Sequence, residues 1–244
     1  MKRTTAHSVL RRKVALVTGG NRGIGLAIAR ALIAEGCNVL ISARDESTLK
    51  RAAREIGRKR GQAVPLVCDV RDPQAVGRMF AAFKDRFRRL DILVNNAGVT
   101  HANLSVAKLP FESWKEVIAT NLTGMFLVTR AALPFMKRGA AIVNNLSIAA
   151  TRVFPGSSAY TASKHGALGF TNTLREELRE RGIRVIALFP GATDTAIWNT
   201  LWPDAPRKKM MAATTVAQAV VCALTLPEES MLEELRILPR AGAL

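Results

Sequence analysis

Residues 14–25, VALVTGGNRGIG, decide the fold. Val14, Leu16, Val17 and Thr18, with Ala15 between them, make a short apolar and β-branched run that reads as a buried parallel strand. Gly19, Gly23 and Gly25 follow, and then LAIARALIAEG places its apolar residues at helical spacing. The order is strand, glycine turn, helix. Glycine lets the backbone turn tightly and come close to a ligand, because no Cβ stands in the way. The helix then points its unpaired N–H groups and the positive end of its dipole at the same spot, which suits a pyrophosphate. The spacing is G-x-x-x-G-x-G, not the G-x-G-x-x-G of the common dinucleotide fingerprint, and such a turn also serves packing alone.

Outward from this stretch the alternation continues. Apolar strands are expected at 38–43 (NVLISA), 63–68 (AVPLVC), 90–94, 140–146 and 183–189, with a last short one in LRIL near the C-terminus. Between them lie helical patterns from about 46 to 60, 72 to 88, 111 to 136, 157 to 181 and 215 to 226. Asp72-Pro73 supplies a cap ahead of a proline at the first helical position, and Gly182 stands where a helix usually closes. About twenty residues after Pro190-Gly191, with Trp198 and Trp202 among them, are expected as loop. Alternating strand and helix without a linker or repeat predict one doubly wound α/β domain with a mostly parallel sheet of seven strands. In such sheets ligands bind beyond the carboxyl ends of the strands, so polar residues that follow strands are the ones to examine.

The 244 residues are enough for one large α/β domain, and 48% hydrophobic content allows a sizeable core. The apolar runs are broken by charges or glycine before bilayer length, so no membrane span is expected. Residues 1–12, MKRTTAHSVLRR, are basic and lack the apolar core of a secretory signal; they are expected as an arm without fixed structure, with the domain at 13–244. Cys37, Cys68 and Cys222 form no C-x-x-C and read as small hydrophobes in a reducing, cytoplasmic setting. His7, His101 and His165 are too scattered for a metal site, so no metal is expected. A net charge of +17 should attract polyanions at low salt. It spreads over helices such as LKRAAREIGRKRG with few aromatics interleaved, which favours solvated arginine-rich faces over a nucleic-acid surface.

Four features converge: the glycine turn after strand one, Asn95-Asn96-Ala97-Gly98 after strand four, Ser147 after strand five, and Y-x-x-x-K opening the next helix. Tyr160 and Lys164 are four apart and face the same way on a helix. An ammonium beside a phenol favours the phenolate and makes it a usable proton donor or acceptor. Across the turn, the hydroxyl of Ser147 can hydrogen-bond a substrate oxygen. From Lys13 to the C-terminus the chain resembles the classical short-chain dehydrogenases/reductases, whose T-G-x-x-x-G-x-G, N-N-A-G, Ser, Y-x-x-x-K and P-G occur here in order.

The resemblance implies a Rossmann-type fold and the interconversion of a carbonyl and a secondary alcohol. It makes Tyr160 the general acid or base and Lys164 the holder of the nicotinamide ribose. Ser147 orients the carbonyl, and Asn121 holds a water in a relay to Lys164. Around the cofactor it implies Gly19, Asn21, Arg22, Gly23, Ile24 and Gly25 at the turn, Asp69 and Val70 at the adenine, and Asn96 and Gly98 on the adenosine side. Pro190, Gly191, Thr193 and Thr195 cover the nicotinamide. Thr193 replaces a usual aliphatic residue, so only its main chain is carried over. Ile197, Trp198, Leu201 and Trp202, with Ala149, Arg152 and Phe154 opposite, are the expected substrate wall. The substrate implied is a small-molecule carbonyl, or a 3-oxoacyl thioester on an acidic carrier met by Lys137-Arg138 and 175–181. A homodimer or homotetramer packed through the long helices is implied as well. The other class of reading is a cofactor-binding regulator that engages nucleic acid with little catalysis.

Which dinucleotide is used follows from the end of strand two. An NAD site needs a carboxylate there for the adenosine 2′-hydroxyl. Ala43 stands at that place, Arg44 follows, and Arg22 sits inside the glycine turn. Two guanidiniums near one 2′-phosphate offer charge-assisted hydrogen bonds, so NADP(H) is expected. Asp45, beyond Arg44, is expected to cap the next helix.

Overall fold

The computed structural model describes residues 9–56 and 62–242. Each expected apolar run becomes a strand: β1 (Val14–Thr18), β2 (Asn38–Ala43), β3 (Ala63–Val67), β4 (Ile92–Asn95), β5 (Ala141–Asn145), β6 (Arg184–Pro190) and β7 (Glu234–Ile237). They form one sheet in the order β3-β2-β1-β4-β5-β6-β7. All six pairings are parallel, so the sheet is fully and not just mostly parallel. Its edges suit their residues. β3 is an edge strand and carries Pro65, which has no N–H to give a second neighbour. β7, the other edge, exposes Glu234 and Arg236, charges that discourage pairing with another chain.

Helices α1 (Gly23–Ala34), α2 (Glu46–Ile56), α3 (Pro73–Arg86), α4 (Phe111–Ile118), α5 (Gly124–Ala132), α6 (Ser158–Arg179), α7 (Trp198–Leu201) and α8 (Ala213–Leu224) connect the strands. The expected tail of α2, residues 57–60, lies outside the described residues. Alternation along each strand divides the core between the faces. Val17, Val39, Ile41 and Val94 pack beneath α1 and α8, while Leu16, Leu40, Leu93 and Ile142 pack against α3, α5 and α6. Asp72 caps α3 by accepting a bond from the Gln74 N–H, with Pro73 at the first helical position.

Three expectations change. The packed body begins before Lys13: Leu10 is buried in the core, its carbonyl accepts a bond from Cys37 Sγ, and the Arg12 N–H reaches Gly36 O. The expected arm therefore cannot extend through residue 12, and residues 1–8 lie outside the described residues. Second, the pattern at 111–136 is not one regular helix. A five-residue π-helical turn, Ala119–Thr123, joins α4 to α5, and a 3₁₀ turn, Leu133–Phe135, ends it at Pro134. By length and composition, 111–135 is also the one helical stretch among the described residues apolar enough to cross a membrane. Half of it is buried, with α5 on β4 and α3 and α4 on α6, which is the place of a core helix. Third, part of the loop after Gly191 is helical, as α7 and a 3₁₀ turn at Arg207–Lys209.

Candidate active site

A cleft of about 1020 Å³ runs along the carboxyl ends of the strands. It lies over the place where β1 meets β4 and the strand order reverses, the usual ligand position in an open parallel sheet. Gly19 and Gly23 have φ of +62° and +54°, which side chains rarely adopt, and a side chain at Gly23 would also meet Thr195 across the cleft. Gly19, Asn21, Arg22, Gly23 and Ile24 line the cleft wall. Gly25 does not. A Cβ there would collide with Asn96 Nδ2 and Gly19 O, so it serves close packing under the turn. Asn96 locks the switch point: its amide donates to Thr18 O at 2.9 Å and Gly19 O at 3.2 Å, and its Oδ1 accepts from Asn145 Nδ2 at 2.8 Å. Asn95 is structural, bonded to Thr129 and Asn144.

Ser147, Tyr160 and Lys164 meet on one wall, beside Gly98. Ser147 follows β5, and its Oγ accepts a bond from the Ala149 N–H at 3.1 Å. Lys164 Nζ donates to Asn145 O at 2.9 Å and lies 5.5 Å from the centroid of the Tyr160 ring. Burial lowers this ammonium from 10.5 to about 8. Burial also raises the Tyr160 phenol above its ordinary value, and the hydrogen bond with Ser147 draws it part of the way back. The expected lowering by Lys164 does not govern the phenol in this state; desolvation does. The wall thus holds a protonated phenol and a readily deprotonated ammonium near neutral pH.

Asn121 does not reach the cleft wall. Its side chain joins the loop after β4 to α6, accepting from Val99 N–H at 2.8 Å and donating to Val99 O at 2.9 Å and Ser163 Oγ at 3.0 Å. All of its side-chain polar atoms are engaged, so a water-holding role would fall to its main chain in the π-helical turn. Such turns are frequent at functional sites.

At the other end of the cleft lie Arg44, Asp69 and Val70. Asp45 caps α2, its Oδ1 accepting from Thr48 N–H at 2.7 Å, and these bonds hold its carboxyl below the ordinary value. Asp45 still lines the cleft, with its Oδ1 engaged by the cap. Arg22 is exposed and has no ion-pair partner among the described residues. Pro190, Gly191, Thr193 and Thr195 form the far wall, and Trp198 Nε1 donates to Thr193 O at 2.9 Å. Ile197, Trp198, Leu201 and Trp202 line the mouth opposite Ala149 and Phe154, with the two indoles edge to face; Arg152 is not in the wall. Arg207 clasps this segment through Asp194 Oδ1 at 2.8 Å, Thr195 O at 2.7 Å and Asn199 Oδ1 at 2.6 Å. His101 and His165 lie outside the wall.

The wall fits a dinucleotide. Ser42 Oγ, Thr120 Oγ1 and Asn145 Oδ1 are buried without a partner among the described residues, and all three side chains belong to the cleft. Sequence reasoning missed these three. Ser42 and Thr120 look like ordinary strand and helix residues, whereas Asn145, two before Ser147, was the traceable one. The arginines expected to meet a carrier are largely committed elsewhere. Arg175 is buried and bonds Val185 O and Glu233 O, Arg181 bonds Leu133 O and Met136 O, and Arg138 bonds Glu180 O.

The family model described as short chain dehydrogenase matches residues 13–206. A 3-oxoacyl-(acyl-carrier-protein) reductase of Synechocystis sp. is 40% identical over 192 residues, 77% of each chain. A 3beta-hydroxysteroid dehydrogenase of Mediterraneibacter gnavus is 36% identical over 76% of this chain and 67% of its own. The structure of an alcohol dehydrogenase from Thermococcus sibiricus, complexed with 5-hydroxy-NADP, superposes with a TM-score of 0.89 at 30% identity. That match covers 96% of this chain and 99% of the other.

Proposed function

The chain belongs to the short-chain dehydrogenase family, and from that premise we propose an NADP(H)-dependent oxidoreductase that interconverts a carbonyl and a secondary alcohol. The observation that carries the reading is the shared wall of Ser147, Tyr160 and Lys164 at the switch point. Tyr160 donates its phenolic proton to the carbonyl oxygen, and Ser147 holds that oxygen by a second hydrogen bond. Lys164, brought to about 8 by burial, is protonated at neutral pH yet gives up its proton easily, so it can restore the phenol. Bound NADPH supplies the hydride. Lys164 would hold its nicotinamide ribose, Gly19, Asn21, Gly23 and Ile24 its pyrophosphate, and Arg22 and Arg44 its 2′-phosphate. Asp69, Val70, Asn96 and Gly98 would enclose the adenosine, and Pro190, Gly191, Thr193 and Thr195 the nicotinamide.

The substrate's carbon skeleton lies against Phe154, Ile197, Trp198, Leu201 and Trp202, an apolar mouth that supports a small apolar ketone or an acyl thioester. A regulator that binds nucleic acid instead of turning over substrate is not supported, since the whole proton-handling wall is present. Exposed Phe111 and Trp114 on α4 and Phe126 on α5 support a homo-oligomer, with the homotetramer as our reading. Buried thiols at Cys37 and Cys68, both raised to about 12 by burial, support a cytoplasmic setting. The test is NADPH oxidation over a panel of ketones and 3-oxoacyl thioesters, with Tyr160→Phe beside the native protein. The variant should fold, bind cofactor and lose roughly a hundredfold or more in rate, because the ring packs alike and the proton is gone. Near-normal turnover by Tyr160→Phe would remove the phenol from the mechanism.

A further inference from the structure

The cations at the adenosine end of the cleft share one carboxylate. Glu116, on α4, brings Oε1 to 3.5 Å from Arg44 Nη1 and 3.6 Å from Arg71 Nη1. Arg44 leaves the end of β2 on one side, and α4 carries Glu116 on the other. Both side chains line the cleft, so their ion pair crosses its adenosine end. The two arginines are held differently. Arg71 is fixed to Asp69, its Nε 3.0 Å from both carboxylate oxygens and its Nη2 2.6 Å from Oδ2. Among the described residues Arg44 makes one ion pair, with Glu116, whose two partners are both 47% exposed, and its charge is also felt by the Asp69 carboxyl.

We infer that Glu116 is a specificity-determining residue: it straps Arg44 across the adenosine end, and the 2′-phosphate must take Arg44 from it. This rests on the cofactor reading above. A phosphate offers the planar guanidinium fork more charge and two oxygens for bidentate hydrogen bonds, whereas a half-exposed carboxylate at 3.5 Å holds it weakly, so the exchange favours the phosphate. Release leaves no uncompensated carboxylate, because Arg71 stays with Glu116. NADH carries no group that repays the opening of the strap. Glu116 therefore lowers NADPH affinity by the strength of one exposed ion pair and lowers NADH affinity little.

The test is fluorescence titration of NADPH and NADH into native protein, Glu116→Gln, Arg44→Ala and the double variant. Glu116→Gln should bind NADPH about threefold to fivefold more tightly at low salt, with NADH changed less than about twofold. The gain should vanish in the Arg44→Ala background and at high salt, neither of which a general loosening of α4 would produce. Unchanged or weaker NADPH binding in Glu116→Gln overturns the inference, as does an equal gain without Arg44. Native protein that binds neither dinucleotide sinks the cofactor reading, and the strap with it.

Discussion

The ammonium of Lys164 is buried, and its hydrogen bond goes to Asn145 O at 2.9 Å. Burial that tunes it to about 8 also costs stability. Below about pH 8 the lysine is charged both folded and unfolded, and the fold carries the full penalty of desolvation, about 3 kcal/mol for the shift from 10.5. Between about 8 and 10.5 the native state gives up its proton first. The unfolded chain then binds more protons, so stability rises with pH until the penalty is gone. Lys164→Met removes the charge but leaves Asn145 O unpaired, a loss of about 1 kcal/mol. The variant should thus be more stable than native protein at pH 7 by about 2 kcal/mol, with the difference shrinking towards pH 10, and be nearly inactive. Denaturant melts at pH 7 and 9.5 read this directly, and a Lys164→Met protein less stable at pH 7 would show that the ammonium is not a burden. Sequence spacing alone put Lys164 beside Tyr160, but the burial that sets both groups depends on the packed body around them.

At the scale of elements, the strands and their order of use were legible because buried parallel strands are near-continuous apolar runs. Helix periodicity was legible too, yet it hid the π-helical turn at Ala119–Thr123. One extra residue in a turn shifts the apolar stripe too little to register, and ATNLT has no glycine or proline to mark it. Likewise α7 has four residues, fewer than the pattern needs to repeat, so its stretch reads as loop. Asn121 lies inside that turn, and its side chain binds Val99 and Ser163 and does not line the cleft. Asn121→Ala would leave the Val99 N–H and C=O without their side-chain partner in a part-buried place. The expected cost is about 2–3 kcal/mol in denaturant melts, with turnover falling as the loop after β4 loosens beside Gly98 and Lys164. Lost turnover with stability shifted by less than about 0.5 kcal/mol would instead assign Asn121 a chemical role through a group its side chain does not touch.

Over the whole molecule, 36 lysines and arginines face 19 aspartates and glutamates. The sequence shows that excess but not its use. Arg138, Arg175, Arg181 and Arg184 stitch backbone carbonyls at helix and strand ends, a role that depends on which carbonyls the fold leaves unpaired. Two electrostatic effects then oppose one another. Ion pairs stabilise, but most are exposed by a third or more on both sides, as in Lys50–Glu46 and Arg30–Glu55, and such pairs are worth about 0–1 kcal/mol each. Self-repulsion among the surplus cations acts over the whole surface and destabilises the compact state. Both are screened once the Debye length falls to about 10 Å near 0.1 M salt. With a net charge of +17 the repulsion should win. Raising sodium chloride from a few millimolar to physiological strength should then stabilise the fold by about 1–2 kcal/mol and lift the Tm by roughly 2–8 °C. A neutral osmolyte at matched osmolality should not reproduce the salt profile, which should level off as the Debye length drops below the spacing of surface charges. A Tm that falls with added salt would mean that the ion pairs outweigh the repulsion, and that the arginine-rich helices are stabilising networks, not merely solvated faces.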